Sequence, residues 1–83
     1  MLTIKQGANI LAQYEPFHSG NFYAIRRCNE WGMFTEWLDV YSYDQWIATY
    51  NYVLYSGIVF DDAYDHSKTT SKHANLVKKA WGL

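Results

Sequence analysis

The sequence predicts an α+β domain in which a small antiparallel sheet is followed by helices. Three observations lead to this prediction: a β-hairpin pattern at residues 21–41, an amphipathic helix pattern at 42–57, and a second helix pattern at about 71–81. Strand patterns that precede helix patterns are typical of the α+β class. The 83 residues are enough for one small compact domain, residues 1–83.

The N-terminal part of the chain allows two interpretations. Residues 10–17 read ILAQYEPF, which fits either a short helix or a strand. Pro16 would end a helix early, whereas the turn-forming residues 18–21 would follow a strand naturally. The strand is the favoured interpretation, and Pro16 would place it at an edge of the sheet. The predicted sheet therefore has two or three strands.

The hairpin prediction rests on two runs of aromatic and β-branched residues that flank a loop ending in Gly32. Symmetrical pairing about loop 29–32 places Arg26 opposite Thr35. On that register, Arg27 and Glu36 lie diagonally across the strands and can pair. The more apolar face of the hairpin, expected to pack against the next helix, carries Tyr23, Ile25, Phe34, Leu38 and Val40.

Residues 42–57 carry the most complete helix signal of the chain. Ser42 and Gln45 have the spacing of a capping box, and Gly57 suits the left-handed position after a helix. Apolar residues recur between them at helical spacing. We therefore predict a central amphipathic helix with one buried face. That face would carry Trp46, Ile47, Tyr50, Val53 and Leu54.

The last helix is predicted from its caps and its charges. Thr70 or Ser71 would cap the N-terminus of a helix over about 71–81. Lys78 and Lys79 would lie in its last turn, where the helix dipole favours positive charge. Gly82 would then end the helix.

Aromatic residues make up 19% of the chain, more than a domain of this size can bury completely. Tyr and Trp are enriched at protein interfaces because they supply a large contact area with few rotatable bonds. The surplus aromatics therefore either fill the core or form a binding surface. A homodimer that buries them is a further alternative.

Composition also excludes several classes. A net charge of −1 argues against non-specific binding to nucleic acid and against a membrane-surface protein. Cys28 is the one cysteine, so an internal disulfide is excluded. No apolar run reaches the roughly 20 residues that span a bilayer, and no export signal is evident. The cytoplasm is the expected compartment.

Residues 61–66 form the densest set of possible metal ligands, with Asp61 and Asp65 one helical turn apart and Asp62 and His66 likewise. One turn supplies too few ligands for a complete shell. A solvated acidic turn is the favoured interpretation, and no metal or cofactor is predicted.

Catalytic signals are weak as well. Cys28, His18 and Asp39 could form a nucleophile, a base and an orienting acid, but nothing in the sequence fixes their geometry. The common phosphate-loop, zinc and hydrolase motifs are absent. The chain is therefore predicted not to be an enzyme.

With enzymatic, metal-binding and membrane functions excluded, the remaining expectation is a non-catalytic protein-binding module that acts by steric occupation of a host or cellular protein complex. Small inhibitors made by phages and mobile elements, including anti-CRISPR proteins, have this size and style, so an inhibitor of host defence is the narrower expectation. The alternative is a small RNA- or single-stranded-DNA-binding domain that uses the basic and aromatic side of the hairpin. The predicted partner-binding residues are Arg26, Arg27, Trp37, Tyr52, Tyr55, Asp61, Asp62 and Asp65.

Overall fold

The computed structural model of the chain describes residues 2–65 and 67–83, without the side chains of residues 64 and 65, and over these residues it shows a five-stranded antiparallel sheet packed against two α-helices. Neighbouring strands in the sequence are also neighbours in the sheet, in the order β1-β2-β3-β4-β5. The elements are α1 (Ile4–Leu11), β1 (Phe17–Ser19), β2 (Phe22–Cys28), β3 (Phe34–Ser42), β4 (Gln45–Asn51), β5 (Ser56–Val59), a 3-10 helix (Asp61–Asp65) and α2 (Lys68–Trp81).

The predicted central helix at 42–57 is wrong, because this segment forms a β-hairpin. β3 ends at Ser42, which pairs with Gln45 at the start of β4. The two residues between them, Tyr43 and Asp44, have φ angles of 51° and 65°. Two successive positive φ angles are the geometry of a type I′ turn, whose twist matches that of paired strands. The spacing that suggested a capping box therefore belongs to the two residues that close this turn.

A second turn separates β4 from β5 within the same segment. The Asn51 side-chain oxygen accepts hydrogen bonds from the N–H groups of Val53, at 2.9 Å, and Leu54, at 2.8 Å. This local bonding to the backbone favours a turn over a continued helix. Val53 and Leu54, predicted to lie in the core, are each 70% exposed at the tip of the turn.

The hairpin at 21–41 exists as β2 and β3, but its predicted register is wrong. Arg26 pairs with Leu38, three residues further along than the predicted Thr35. An irregularity between Arg26 and Cys28 leaves three residues of β3 opposite one residue of β2. Because side chains alternate along a strand, an odd shift exchanges the faces of one strand relative to the other. The buried apolar residues are Phe22 and Ala24 in β2, with Leu38 and Val40 in β3.

The N-terminal segment is helical where a strand was favoured. Thr3 and Gln6 form a capping box: the Gln6 N–H donates to the Thr3 hydroxyl at 3.1 Å, and the Thr3 N–H donates to Gln6 Oε1 at 2.9 Å. Gly7 faces the sheet so closely that a Cβ atom there would lie 2.7 Å from the Phe17 ring. The edge strand β1 follows at Phe17–Ser19, after Pro16.

The C-terminal helix is present, and it begins at Lys68 rather than at about residue 71. The Ser67 hydroxyl caps it by accepting the Thr70 N–H at 3.1 Å. Lys78 and Lys79 lie in its last turn, and Gly82 follows with a φ of 70°.

Both helices pack on one face of the sheet and enclose the core with it. The Trp81 Nε1–H donates to the Leu11 carbonyl at 3.1 Å and joins the two helices. The His73 ring stacks on Phe22 of β2, with ring centroids 4.5 Å apart, and the Trp81 ring lies against Gly57 of β5. The buried apolar residues are Leu11, Phe17, Phe22, Ala24, Leu38, Val40, Ile47, Ala48, Tyr50, Val59, Ala63, Ala74, Val77 and Trp81. Within the described residues, neither helix covers the opposite face of the sheet.

Candidate functional site

The uncovered face of the sheet presents two rows of side chains that run across the strands. His18, Tyr23, Tyr41 and Trp46 lie directly opposite one another across β1 to β4, and Ile25, Asp39, Thr49 and Ile58 do so across β2 to β5. Arg27 and Trp37 lie on the same side, next to the second row. We call these ten residues the open face.

An ion pair held between two tryptophans forms the centre of the open face. Arg27 binds the Asp39 carboxylate with two parallel hydrogen bonds, from Nε and from Nη2, each 2.8 Å long. The Thr49 hydroxyl donates to the same carboxylate at 2.9 Å. The guanidinium carbon of Arg27 lies 5.3 Å from the ring centroids of both Trp37 and Trp46. These contacts fix a long side chain that would otherwise be mobile.

At this centre, the positive charge of Arg27 and the negative charge of Asp39 are paired with each other. Asp39 is 4% exposed, while the Arg27 side chain is 39% exposed. The hydrogen bonds to Asp39 raise the pKa of Arg27 further above its already high value, so the guanidinium remains charged. Because the two charges cancel, the centre of the open face carries no net charge to attract a phosphate.

Aromatic rings extend the surface along the first row. The His18 and Tyr23 rings stack at 5.4 Å, and the Tyr23 and Tyr41 rings stack at 5.2 Å. The Tyr23 hydroxyl donates to Asp44 at 2.6 Å. This hydrogen bond, with a smaller contribution from burial, raises the pKa of Tyr23 to about 12. The rings are therefore held in place before any partner arrives.

The structure brings only two of the predicted binding residues together on the open face, Arg27 and Trp37. Neighbouring residues of a strand project to opposite faces, so Arg26 points to the helix side, where its guanidinium lies 4.4 Å from the Tyr52 ring centroid and 5.4 Å from that of Phe34. The predicted basic surface with adjacent arginines does not form. Arg27 pairs with Asp39 rather than with Glu36.

The predicted tyrosines differ in their environments. Tyr52 is half-buried: its hydroxyl donates to the Tyr14 carbonyl, and its ring packs edge-on against Tyr50 with centroids 5.3 Å apart. Burial raises the pKa of Tyr52. Tyr55 is 83% exposed at the turn between β4 and β5. Tyr52 thus supports the fold, whereas Tyr55 is available for contact.

The predicted acidic residues lie at the other end of the sheet. Asp61 and Asp62 are exposed in the 3-10 helix that follows β5. The side chain of Asp65 and the whole of His66 lie outside the described residues. β5 runs away from the Tyr55 turn, so Asp61 and Asp62 do not join the tyrosines in one surface.

As far as the described residues go, neither set of candidate chemical residues comes together. Among the described residues, no three His, Cys, Asp or Glu side chains come close enough together to hold a metal ion. His18 pairs with Tyr23, five residues before Cys28 in β2, which separates His18 from the exposed thiol by roughly 16 Å along the strand. Asp39, the third candidate, is already bonded to Arg27 and Thr49.

Sequence reasoning missed Asp39, Tyr41 and Trp46 as members of the surface. The helix predicted over 42–57 places Trp46 in the core, yet Trp46 is 46% exposed. The aromatic and β-branched content of this segment is the signal that could have identified a strand.

No family model, no characterised protein and no solved structure matches this chain. Of the helices in the described residues, none is both long enough and apolar enough to cross a membrane.

Proposed function

We propose that the protein is a non-catalytic protein-binding module that occupies its partner through the open face. The observation that carries the proposal is the Arg27 guanidinium held between Trp37 and Trp46 above a buried carboxylate. Trp, Tyr and Arg dominate the energetic centres of protein interfaces. Groups fixed beforehand lose little entropy on binding, and this increases affinity for a given contact area.

The dimensions of the sheet suit such a role. Four spacings of about 4.8 Å make the sheet about 19 Å wide, and a nine-residue strand such as β3 is about 30 Å long. Because the edge strands β1 and β5 have only three and four residues, the area of the sheet is on the order of 500 Å², compared with about 800 Å² per partner in a standard interface. The exposed turn that carries Tyr55 adjoins the sheet and can supply further contact area.

The narrower form of the proposal is an inhibitor of host defence, such as a phage or mobile-element protein that blocks a host complex. It is supported by the small size and aromatic composition of the chain. The alternative, a domain that binds RNA or single-stranded DNA, has weaker support. Arg27 is neutralised by Asp39 and Arg26 lies on the other side of the sheet, so the paired arginines of the hairpin do not form one cationic surface.

Affinity capture with matched variants tests the proposal. Tagged wild-type protein is incubated with a lysate of the source organism beside Trp46→Ala and Ile25→Ala, which truncate exposed residues of the open face. Leu83→Ala is the control, since Leu83 is 59% exposed at the end of α2, in the opposite layer. We expect the wild type and the control to capture the same protein by mass spectrometry, and the two open-face variants to lose it.

Two further measurements separate the alternatives. Equal capture by all four folded proteins would exclude the open face as the binding surface. Filter binding of single-stranded RNA at low salt, lost on Trp46→Ala, would favour the nucleic-acid alternative. A concentration-dependent dimer that Trp46→Ala dissociates would instead identify a second copy of the chain as the partner.

A further inference from the structure

A cleft of about 480 Å³ lies at the end of the protein where both helices begin. Its walls come from the first residues of α1, the turn between β1 and β2, Tyr43 in the turn between β3 and β4, and Thr69 and His73 of α2. We call it the His73 cleft. It is separate from the open face, because the helices lie on the other side of the sheet.

We propose that the His73 cleft binds a carboxylate or a phosphate monoester carried on a small apolar body. Apolar side chains of Leu2, Ile4 and Phe22 line part of the cleft, beside polar groups of Thr3 and Thr69. The combination suits an amphipathic anion rather than a bare inorganic ion. Such an anion can come from a free small molecule or from an acidic side chain of a partner.

The first argument for a ligand is an unsatisfied imidazole. His73 is 3% exposed, and its Nδ1 lies 2.6 Å from the Ser42 hydroxyl. Its other nitrogen, Nε2, is buried and has no hydrogen-bond partner among the described residues. Since His73 lines the cleft and its Nδ1 is turned toward Ser42, which does not, we infer that Nε2, on the other side of the ring, faces the cleft behind the side chains that cover it. Buried polar atoms without a partner are rare and call for an explanation.

Two protonation states of His73 make Nε2 a proton donor. The contact of Ser42 with Nδ1 is shorter, at 2.6 Å, than its contact with the Thr70 hydroxyl, at 3.3 Å. When Ser42 donates to Nδ1, the neutral ring carries its proton on Nε2. When the ring is protonated, Nδ1–H donates to Ser42 and Ser42 can donate to Thr70. Nε2–H is a donor in these two states, as an anion requires, whereas the neutral tautomer with its proton on Nδ1 leaves Nε2 an acceptor, so an anion selects the first two.

The second argument is the charge of the two helix N-termini. Thr3 satisfies the N–H groups of Gln6 and Gly7, which leaves the first two N–H groups of α1 without a helical partner. Ser67 likewise accepts hydrogen bonds from the N–H groups of Thr70 and Ser71, so the first two N–H groups of α2 also lack a helical partner. Neither first turn contains an acidic residue, according to the described part of the chain. The positive ends of two helix dipoles therefore meet near the cleft, with no carboxylate of their own first turns to compensate them.

The surrounding charges agree with this assignment. The walls of the cleft contain no charged side chain among the described residues. Lys5 and Lys68 lie in the first turns of the two helices, and Lys72 precedes His73. Asp44, next to Tyr43, accepts the hydrogen bond of Tyr23 on the open face. Burial lowers the pKa of His73, and an anion beside Nε2 would act in the opposite direction.

Tyr43 is the exposed ring next to the buried nitrogen. It is 51% exposed and stacks 6.2 Å from the His73 ring. Because Nε2 itself has no exposed surface, a ligand atom reaches it only after a neighbouring side chain moves aside, and Tyr43, which lines the cleft, is the side chain we expect to move. Tyr43→Ala is therefore expected to keep the site and to speed ligand entry.

Titration by NMR tests the proposal with three probes: phenyl phosphate, benzoate and inorganic phosphate. We expect saturable shifts of the His73 ring and of the amides of Ile4 and Thr69, with phenyl phosphate and benzoate binding more tightly than inorganic phosphate. The exposed His18 ring is the internal control and should not move. Benzoate, which stays ionised throughout this range, should bind at least threefold more tightly at pH 6 than at pH 8, because the bound anion favours the imidazolium. Linear shifts that are equal at His18 and His73 would overturn the proposal.

Three variants separate the site from the fold. His73→Gln should weaken phenyl phosphate binding at least tenfold. Thr69→Glu places a carboxylate at the exposed N-terminus of α2, where the helix dipole favours it, and it should abolish binding while keeping or raising Tm. Asn75→Glu adds the same charge further along α2 and should bind within twofold of the wild type. Equal binding by Thr69→Glu and Asn75→Glu, whether normal or weakened, would refute the anion site. Acidic peptides that bind where phenyl phosphate and benzoate do not would identify a partner side chain as the anion.

Discussion

Removing Arg27 and removing Asp39 from the ion pair on the open face should lower the stability of the protein by different amounts. Arg27→Ala removes the bidentate partner of the Asp39 carboxylate, which is 4% exposed with Arg27 in place, and leaves the Thr49 hydroxyl as its remaining partner. Asp39→Ala leaves a guanidinium whose side chain is already 39% exposed and can turn into water. Burial of an unpaired charge is the larger cost, so the arginine variant should be the less stable of the two.

The magnitudes follow from the burial of each group. Loss of one partner of a buried pair costs about 3–5 kcal/mol. Solvent reaches Arg27, so the attraction is partly screened and we expect the lower end, about 3 kcal/mol, for Arg27→Ala. Asp39→Ala loses hydrogen bonds to a charged group and should cost about 2 kcal/mol. The double variant leaves no unpaired charge and should be about 1 kcal/mol more stable than Arg27→Ala alone.

Urea unfolding followed by tryptophan fluorescence measures these differences directly. Thermal unfolding of the same proteins gives a second measurement. For a domain of this size, 1 kcal/mol corresponds to a Tm change of about 4–8 °C, so the order of the three variants is easily resolved. Two results would refute the reasoning. One is an Asp39→Ala protein that is as unstable as Arg27→Ala, and the other is a double variant whose loss equals the sum of the single losses.

Four other substitutions test separate features of the fold. Tyr52→Ala should cost about 2–4 kcal/mol because it removes a half-buried ring and its hydrogen bond, whereas Tyr55→Ala should change stability by less than about 0.5 kcal/mol, both by urea unfolding. The pKa of Tyr23 is about 12 when folded and about 10 when unfolded, so its contribution is present below pH ~10 and is lost between about pH 10 and 12. Tyr23→Phe should therefore lose less stability over that interval in an alkaline titration. Gly57→Ala places a Cβ atom 2.7 Å from the Trp81 ring and should lower stability by about 1–3 kcal/mol in the same unfolding assay.

Each of these expectations has a contrary result. Equal losses from Tyr52→Ala and Tyr55→Ala would contradict their different burial. An alkaline stability profile unchanged by Tyr23→Phe would remove the contribution assigned to its hydrogen bond. A stabilised Gly57→Ala protein would mean that β5 and α2 lie further apart than described.

Local signals predicted the parts of the fold that local chemistry determines. The last helix has a cap, a dipole-compatible pair of lysines and a terminal glycine close together in the chain, and it forms there. The runs that become β2 and β3 have strand composition and also form. Their register could not be predicted, because the irregularity opposite Arg27 depends on how β3 is anchored by β4 rather than on the loop between β2 and β3.

The segment at 42–57 misled sequence reasoning for two physical reasons. Both of its turns depend on non-glycine residues at positive φ, Tyr43, Asp44 and Tyr55, and such residues give a weak signal because glycine usually holds these positions. β4 is also an inner strand in which five consecutive residues, 47–51, are buried. Burial therefore does not alternate along these residues, and the alternation that distinguishes a strand from a helix is missing.

The candidate site was predictable only in part. Arg27 and Trp37 could be selected by residue type, since both types are common in binding surfaces. Their association with Trp46 could not, because it requires the pairing of β3 with β4 across the misinterpreted turn. The buried position of Asp39 likewise depends on Thr49 from β4. Contacts between distant segments, rather than composition, create this surface.

The affinity of the captured partner for two variants tests the proposed function most directly. Trp46 belongs to the open face and is 46% exposed, while Leu83 is 59% exposed in the opposite layer. A hot-spot residue contributes about 2 kcal/mol or more, so we expect Trp46→Ala to raise Kd about 30-fold and Leu83→Ala to change it less than about twofold. Two folded variants that bind with equal affinity would contradict binding through the open face.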